Sequence, residues 1–275
     1  MNKSYEEIVA LVRDTLVAAG STFREDKKDA YRRAIESERN AKAKWVLNTI
    51  LENAVAAETN HSPLCDDTGI PHLVLEVGEN CYVTGKMLDA IREGVAQGLR
   101  KLPGRPMGIM GDDSHRIDQS GGLNPDSAGV EPAPILLRRC SENVLRLHIL
   151  MFGGGPAIRG KTYRVFHKHN TQVVIDEIVK WATEGVAQLG CSPCTLAVGV
   201  GRSHFEATSM MLQAQVDGKY DVQSDMEAEI TRRVNEANIG PLGLRGDTSN
   251  CNIHESRTAE SKWSKNSVRA SNLLL

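Results

Sequence analysis

The sequence is poor in aromatic residues, and neither sign of charge is in excess. Phe, Trp and Tyr make up 4% of the 275 residues, and 33 basic residues are balanced by 35 acidic ones, for a net charge of −2. Proteins that bind nucleic acid use aromatic rings to stack on bases and clusters of positive charge to bind phosphates. The composition therefore argues against nucleic acid as a partner, and equally against an anionic membrane surface.

Long apolar runs are also missing. No stretch approaches the roughly 20 residues that a helix needs to cross a bilayer. The first residues, MNKSYEEIVALVRDTL, carry Glu6 and Glu7 in an amphipathic pattern, which predicts a helix and not a secretion signal. The six cysteines are then expected to be reduced thiols that are available for metal binding or catalysis. We expect a cytoplasmic protein that does not bind a membrane.

The order of the elements predicts a mixed α/β (α+β) fold, with N-terminal helices followed by mixed strands and helices. Residues 4–58 have helical periodicity, with Thr22 as a cap for the second helix. A strand is predicted at 71–77 and a helix at 85–102. Residues 103–132 are dense in Gly, Pro, Asp and Ser, which is typical of a functional or mobile segment. Strands and helices then alternate, among them a helix that Ser203 caps.

A cysteine and two carboxylates stand directly before the first predicted strand. They belong to the stretch HSPLCDDTGIPHLVLEVG, residues 61–78, as Cys65, Asp66 and Asp67. Asp-Asp-Thr-Gly alone would serve as a turn. Cys65 adds nothing to a turn, so it is either a small packed hydrophobe or a residue that takes part in chemistry.

A second cysteine pair, Cys191-Ser192-Pro193-Cys194, also precedes a predicted strand. The C-x-x-C spacing is compatible with zinc, an iron–sulfur cluster or a dithiol switch. A closed zinc site uses four ligands, and the sequence holds no second C-x-x-C. A thioredoxin-like motif would follow a strand and open a helix, whereas this pair precedes a strand.

A third feature is the glycine series at residues 153–155, which Arg159 and Lys161 follow. Successive backbone N–H groups of such a segment are able to hold an anion, and the two cations would add charge to a carboxylate or phosphate site. A glycine-rich turn with solvated charges remains an equal alternative.

Taken in order, these segments resemble the iron–sulfur-dependent class I fumarases and L-tartrate dehydratases. PLCDDTGIPHLVLEVG is similar to their P-L/M-C-Q-D-T-G segment, and CSPCTLAVGVGR to a segment with C-P-P, an apolar strand and two glycines. MFGGGPAIRGKTY looks like the Gly-Gly-Gly segment of the family, and NIGPLGLRGDTS like its G-P-x-G-x-G-G-x-T-T turn. The resemblance corresponds to the α subunit, or to the N-terminal module of single-chain enzymes.

The resemblance implies a catalytic module at residues 1–248. The module is predicted to end there because the match to the family pattern fails shortly before residue 248. From about Arg245, where a glycine is expected, the chain departs from the pattern. The stretch 247–275 contains no Gly or Pro and is rich in Ser and Asn. We therefore predict an atypical polar C-terminal tail at 249–275.

The family's cofactor is a [4Fe-4S] cluster that three cysteines hold, with one open iron that acts as a Lewis acid on a four-carbon dicarboxylate of the fumarate/malate or tartrate type. Cys65 and Cys191 match two of the ligand positions. The third ligand lies past the G-P-x-G turn in the family, and Cys251 is the one cysteine left there, which makes it the candidate in this chain.

The resemblance also implies roles for polar residues and for partners. Asp67 is expected to hydrogen-bond substrate or iron-bound water, and Lys161 and Arg105 to bind substrate carboxylates. A β subunit would complete the active site and supply the general base, and an α–α contact is expected as well. Two alternatives stay open: a cluster-free relative that serves as an interaction subunit, and a zinc or dithiol module built on Cys191 and Cys194.

Overall fold

The computed structural model describes residues 3–254 and 269–274 except Thr68, Pro103, Arg105 and Pro106, and its side chains are described up to Asn250, apart from 156–158. The helices are α1 (Tyr5–Ser21), α2 (Glu25–Ser37), α3 (Ala41–Asn60), α4 (Gly85–Lys101), α5 (Asp113–Asp118), α6 (Gly154–Arg159), α7 (Thr171–Leu189), α8 (His204–Asp217) and α9 (Asp225–Asn235). The strands are β1 (Ile70–Val77), β2 (Leu136–Arg139), β3 (Leu145–Phe152), β4 (Cys194–Gly199), β5 (Asn250–His254) and β6 (Arg269–Leu274).

The predicted mixed α/β class is confirmed. Local sequence signals set the start of most of the long helices. The Ser203 side chain accepts the backbone N–H of Glu206 at the start of α8, as predicted. The prediction that Thr22 caps the second helix is wrong. Thr22 is the C-cap of α1, and α2 begins after Arg24, which makes no side-chain cap. None of the helices in the described part of the chain is long and apolar enough to cross a membrane.

The chain divides into two compact units, of which the first comprises residues 1–23 and 53–154. Its sheet has the order β2-β1-β3, with β1 parallel to β2 and antiparallel to β3. One face of this sheet buries Leu73, Leu75 and Ile149 in a core shared with α1 and α4. Each buried aliphatic side chain contributes on the order of 2 kcal/mol to the free energy of unfolding.

Two glycines allow α1 and α4 to pack closely in this unit. A Cβ at Gly94 would lie 2.6 Å from Cβ of Val12, and a Cβ at Gly98 would lie 3.0 Å from Cβ of Leu16. The close approach of the two helices therefore depends on the glycines, which carry no side chain.

The second unit comprises residues 24–52 and 155–275. Its sheet has the order β5-β4-β6, with β4 parallel to β5 and antiparallel to β6. Every residue of β4 is buried, as its continuous apolar sequence predicts for a central strand. The core around it is formed with α7 and α9 and includes Ile178, Leu196 and Val234.

Two segments have more regular structure than the sequence indicated. Gly154 and Gly155 begin α6, although the glycine series was predicted to be a turn. Residues 250–254 and 269–274 pair with β4, within the stretch predicted to be a polar tail. The boundary at residue 248 remains a prediction.

Candidate functional site

Cys65 lies in the loop between α3 and β1 and is half-buried. Backbone hydrogen bonds fix the residue before it. The Leu64 N–H donates to the carbonyl of Gly20 at 2.9 Å, and Asn53 Nδ2 donates to the carbonyl of Leu64 at 3.1 Å. The thiol is therefore presented by a loop that α1 and α3 both hold in place.

Asp67 connects this loop to the glycine series. Its Oδ2 accepts the backbone N–H of Gly154 at 2.7 Å. The approach is close, since a Cβ at Gly153 would lie 3.2 Å from Oδ2 of Asp67. Gly69, at φ 98°, would place a Cβ 2.1 Å from the carbonyl oxygen of Phe152. The cysteine–carboxylate loop and the glycine series, predicted as separate features, are thus packed together.

Cys191 lies between α7 and β4 and packs against the core of the second unit. The helix before it, α7, is capped at its C-terminus by Gly190, with φ 74°. The next residue, Ser192, binds a distant turn: its hydroxyl donates to the carbonyl of Gly240 at 2.5 Å, and its own carbonyl accepts the N–H of Leu242 at 2.9 Å. The Cys191 loop is therefore attached to the turn that resembles the family's G-P-x-G segment.

Cys194 has a different environment from Cys191. It is 1% exposed as the first residue of β4, and its thiol donates to the carbonyl of Ser249 at 3.6 Å. This contact favours a structural role for Cys194 over a zinc or dithiol role. Among the described side chains, which do not include Cys251, no group of three or more His, Cys, Asp or Glu residues is arranged to hold a metal ion.

The remaining predicted site residues have separate positions. Arg105 lies outside the described residues, and Cys251 is placed only as a backbone position in β5. Lys161 is exposed in the irregular segment after α6, within the second unit, whereas Asp67 belongs to the first. The roles of Arg105, Lys161 and Cys251 remain predictions.

Arg159 was noted in the sequence beside Lys161, but only the structure distinguishes the two. Its Nη1 donates to the carbonyl of Gly155 at 3.3 Å. Its Nε is buried and has no hydrogen-bond partner among the residues that the structure describes. A buried guanidinium donor of this kind is suited to a carboxylate ligand, which accepts two N–H groups at once.

The strand after the Cys65 loop carries a buried ion cluster. Glu76 of β1 is 6% exposed and accepts hydrogen bonds from Arg138 at 2.5 Å and Arg146 at 2.7 Å, with His148 Nε2 at 3.4 Å. Burial disfavours the charged carboxylate, but the hydrogen bonds from Arg138 and Arg146, with His148 nearby, outweigh it and lower the pKa of Glu76 to about 2. The cluster joins the three strands of the first sheet.

The two candidate cysteines fit the chemistry of an iron–sulfur ligand. Such clusters are held by thiolates. Neither Cys65 nor Cys191 forms a disulfide, both are half-buried, and each lies in a loop directly before a strand. Asp67 follows Cys65 by two residues, and its carboxylate is the type of group that a hydration site uses for proton transfer.

Comparison with known proteins indicates an enzyme of the hydro-lyase class. The sequence profile described as "Fumarate hydratase (Fumerase)" matches residues 9–262. The chain therefore belongs to the fumarate hydratase family. The resemblance predicted from the Cys65, Cys191 and glycine segments is confirmed.

Individual relatives agree with this assignment. The chain is 27% identical to a protein of Methanocaldococcus jannaschii named "Putative L(+)-tartrate dehydratase subunit alpha", over 81% of this chain and 79% of the relative. It is 19% identical to the L(+)-tartrate dehydratase subunit alpha of Escherichia coli K12, over 92% and 82%. It is also 24% identical to the "Putative fumarate hydratase class I" of Geobacillus stearothermophilus, over 90% of this chain but 49% of that longer protein.

Proposed function

We propose that the chain is the α-type catalytic module of a hydro-lyase that adds water to, or removes it from, a four-carbon dicarboxylate of the fumarate/malate or tartrate type. The observation that carries the proposal is the placement of Asp67, which follows Cys65 by two residues and is held by the N–H of Gly154 at 2.7 Å. Membership of the family supports the reaction class, and the names of the relatives supply the substrate class.

We infer that a [4Fe-4S] cluster is the cofactor and that Cys65, Cys191 and Cys251 are its thiolate ligands. When bound, the cluster supplies a Lewis-acidic iron that makes hydroxide a better leaving group. Thiolate ligands are maintained under reducing conditions, which supports a cytoplasmic location.

The polar residues of the chain have separate tasks in this proposal. Asp67 orients the substrate hydroxyl or a water molecule, because its carboxylate is fixed by the backbone of the glycine series. The cationic side chains Arg105, Arg159 and Lys161 bind substrate carboxylates and stabilise the negative charge that develops on proton removal.

A second subunit is part of the proposal. Two of the relatives are named α subunits, which supports a β subunit that completes the active site and supplies the general base. An α–α contact is the further expected association.

Anaerobic reconstitution of the purified chain tests the cofactor directly. Iron and sulfide are counted and the absorption spectrum is recorded for the wild type and for Cys65→Ser, Cys191→Ser and Cys251→Ser. Cys81→Ser is the matched control, because Cys81 is also half-buried and carries no proposed role. We expect about four irons per wild-type and control chain, and a large loss in the other three variants.

The same preparation tests the substrate class. Fumarate, malate and tartrate are added separately to the reconstituted chain, and a change in its spectrum reports binding near the cluster. Wild-type protein without iron would contradict the proposed cofactor and favour the cluster-free interaction subunit. Iron that persists in both Cys65→Ser and Cys191→Ser would contradict the ligand assignment.

A further inference from the structure

Two buried serines hold Gly240 from opposite sides within the second unit. The Ser192 hydroxyl donates to the carbonyl of Gly240 at 2.5 Å, and the N–H of Gly240 donates to the Ser249 hydroxyl at 3.0 Å. Ser192 and Ser249 are 1% and 0% exposed. The N–H of Gly243 donates to the Ser192 hydroxyl as well, at 3.4 Å. Buried hydroxyls with defined partners on both sides fix the backbone segments that they join.

The turn that these serines hold, residues 238–246, has a backbone that is unfavourable in isolation. Leu242 and Arg245 have φ of 52° and 65°, in the left-handed region that residues other than glycine rarely adopt. Gly240 has φ 72°, and a Cβ there would lie 2.1 Å from the carbonyl carbon of Arg245. Such a backbone persists where its surroundings determine it, so the serine contacts are part of what keeps the turn in this shape.

We call the hydrogen bonds of Ser192 and Ser249 to Gly240 the clamp. Its Ser249 side is attached to the end of α9 and to the residue that follows α2. Asn235, the last residue of α9, accepts the N–H groups of Ser249 and Asn250 through its Oδ1, at 3.0 and 2.8 Å. The buried carboxylate of Glu38, which follows α2, accepts the N–H groups of Asp247 and Thr248 through its Oε2, at 2.9 and 3.0 Å. Ser249 is therefore fixed, and Gly240 and Ser192 are fixed through it.

We propose that Ser192 is a positioning residue for Cys191. The thiol stands between the end of α7 at Gly190 and the clamped Ser192, so the hydroxyl of Ser192 fixes the backbone that presents it. The value of this positioning for catalysis rests on the proposed function, in which Cys191 is a cluster ligand. The positioning itself belongs to the chain without any cofactor.

The test measures the alkylation rate of Cys191 in the cofactor-free chain by peptide mass spectrometry, for wild type and Ser192→Ala. Cys194 is the internal reference, because it lies three residues away, is 1% exposed and reacts only when the second unit opens. Loss of one buried hydrogen bond is expected to raise the ratio of Cys191 to Cys194 labelling by at least about threefold. A merely structural role would raise the labelling of both cysteines together.

Ser224→Ala is the matched control, since it removes a hydroxyl that caps α9 at the end away from Asn235. It is expected to leave the labelling ratio unchanged. Ser249→Ala is the second variant, and it should raise the ratio because it removes the other contact to Gly240. An unchanged ratio in both Ser192→Ala and Ser249→Ala would overturn the proposal.

Iron retention separates this inference from the proposed function. If wild type takes up iron, Ser192→Ala should lose it to a chelator faster than Ser224→Ala does. If wild type takes up none while the labelling ratio still rises in Ser192→Ala, the cluster assignment fails and the positioning role stands. Equal iron loss in Ser192→Ala and Ser224→Ala would count against a role of the clamp at the cluster.

Discussion

The carboxylate of Asp67 accepts the backbone N–H of Gly154 at 2.7 Å, although 87 residues separate the two in the sequence. This hydrogen bond joins the cysteine–carboxylate loop to the first turn of α6. It orients the acidic side chain that the sequence predicts for the candidate site. Because the contact is a hydrogen bond to backbone, the charge of this side chain is replaceable while the contact is kept.

Replacement of Asp67 by Asn is expected to remove function and preserve structure. The amide oxygen is still able to accept the N–H of Gly154, but the negative charge is lost. We expect the substrate-induced spectral change of the reconstituted chain to require at least about 100-fold more dicarboxylate, or catalysis with the β subunit to fall by a similar factor. Asp66→Asn, at the exposed neighbouring position, is the control and should stay near wild type. Equal effects of both changes would contradict the assignment.

Replacement of Gly69 by Ala is expected to destabilise the first unit strongly. Its φ of 98° is unfavourable for alanine, and the added Cβ would collide with the carbonyl of Phe152 at 2.1 Å. We expect a loss of about 2 kcal/mol or more in the free energy of unfolding, measured by urea titration. Gly85→Ala is the control: no atom lies within 4 Å of its added Cβ, and alanine favours the first turn of α4. A stable Gly69→Ala variant would show that this loop tolerates a different backbone.

The Glu76 cluster predicts a stability loss at low pH. Its pKa is lowered from 4.5 to about 2 in the folded chain, so its stabilising effect is present above pH 4.5 and is lost as the pH falls toward 2. The shift corresponds to roughly 3 kcal/mol at neutral pH. Glu76→Gln should remove that part of the pH dependence and destabilise the chain at pH 7, because the buried ion pairs of residue 76 with Arg138 and Arg146 are lost.

The exposed pair of Arg100 and Asp126 is the control for this measurement. Asp126→Asn should leave the stability at pH 7 nearly unchanged, since exposed ion pairs contribute little. Denaturant titrations at several pH values between 2 and 7 give the comparison. Parallel pH profiles of wild type and Glu76→Gln would rule out the cluster as the source of acid sensitivity.

Arg159 is expected to contribute more to dicarboxylate binding than Lys161 does. The Nε of Arg159 is buried and has no hydrogen-bond partner among the described residues, whereas Lys161 is exposed. Arg159→Gln should weaken dicarboxylate binding about tenfold or more, and Lys161→Gln should weaken it less. Arg164→Gln is the control, because that guanidinium lies over the Phe166 ring at 4.6 Å in an exposed segment. A larger effect of Lys161→Gln than of Arg159→Gln would contradict this ranking.

Signals carried by neighbouring residues could be predicted from the sequence. The alternation at 71–77 predicted β1, the apolar run after the Cys191–Cys194 pair predicted β4, and the hydroxyl of Ser203 marked the start of α8. These succeed because a cap or a periodic pattern acts over one or two turns of chain. The prediction for Thr22 failed because α2 begins after Arg24, which makes no side-chain cap, so no local signal of this kind marks its start.

The sequence by itself also determined the family, because the Cys65, glycine and Cys191 segments are recognised from their residues and their order alone. No knowledge of contacts is needed for that. The tertiary structure alone decided which residues support those segments. Asp67 meets Gly154 across 87 residues, and Ser192 meets Gly240 across 48. No local sequence pattern predicts such pairs, because the residues around each partner are compatible with many different folds. Only the packing of the strands and helices brings the two ends together and leaves a buried polar group that requires a partner.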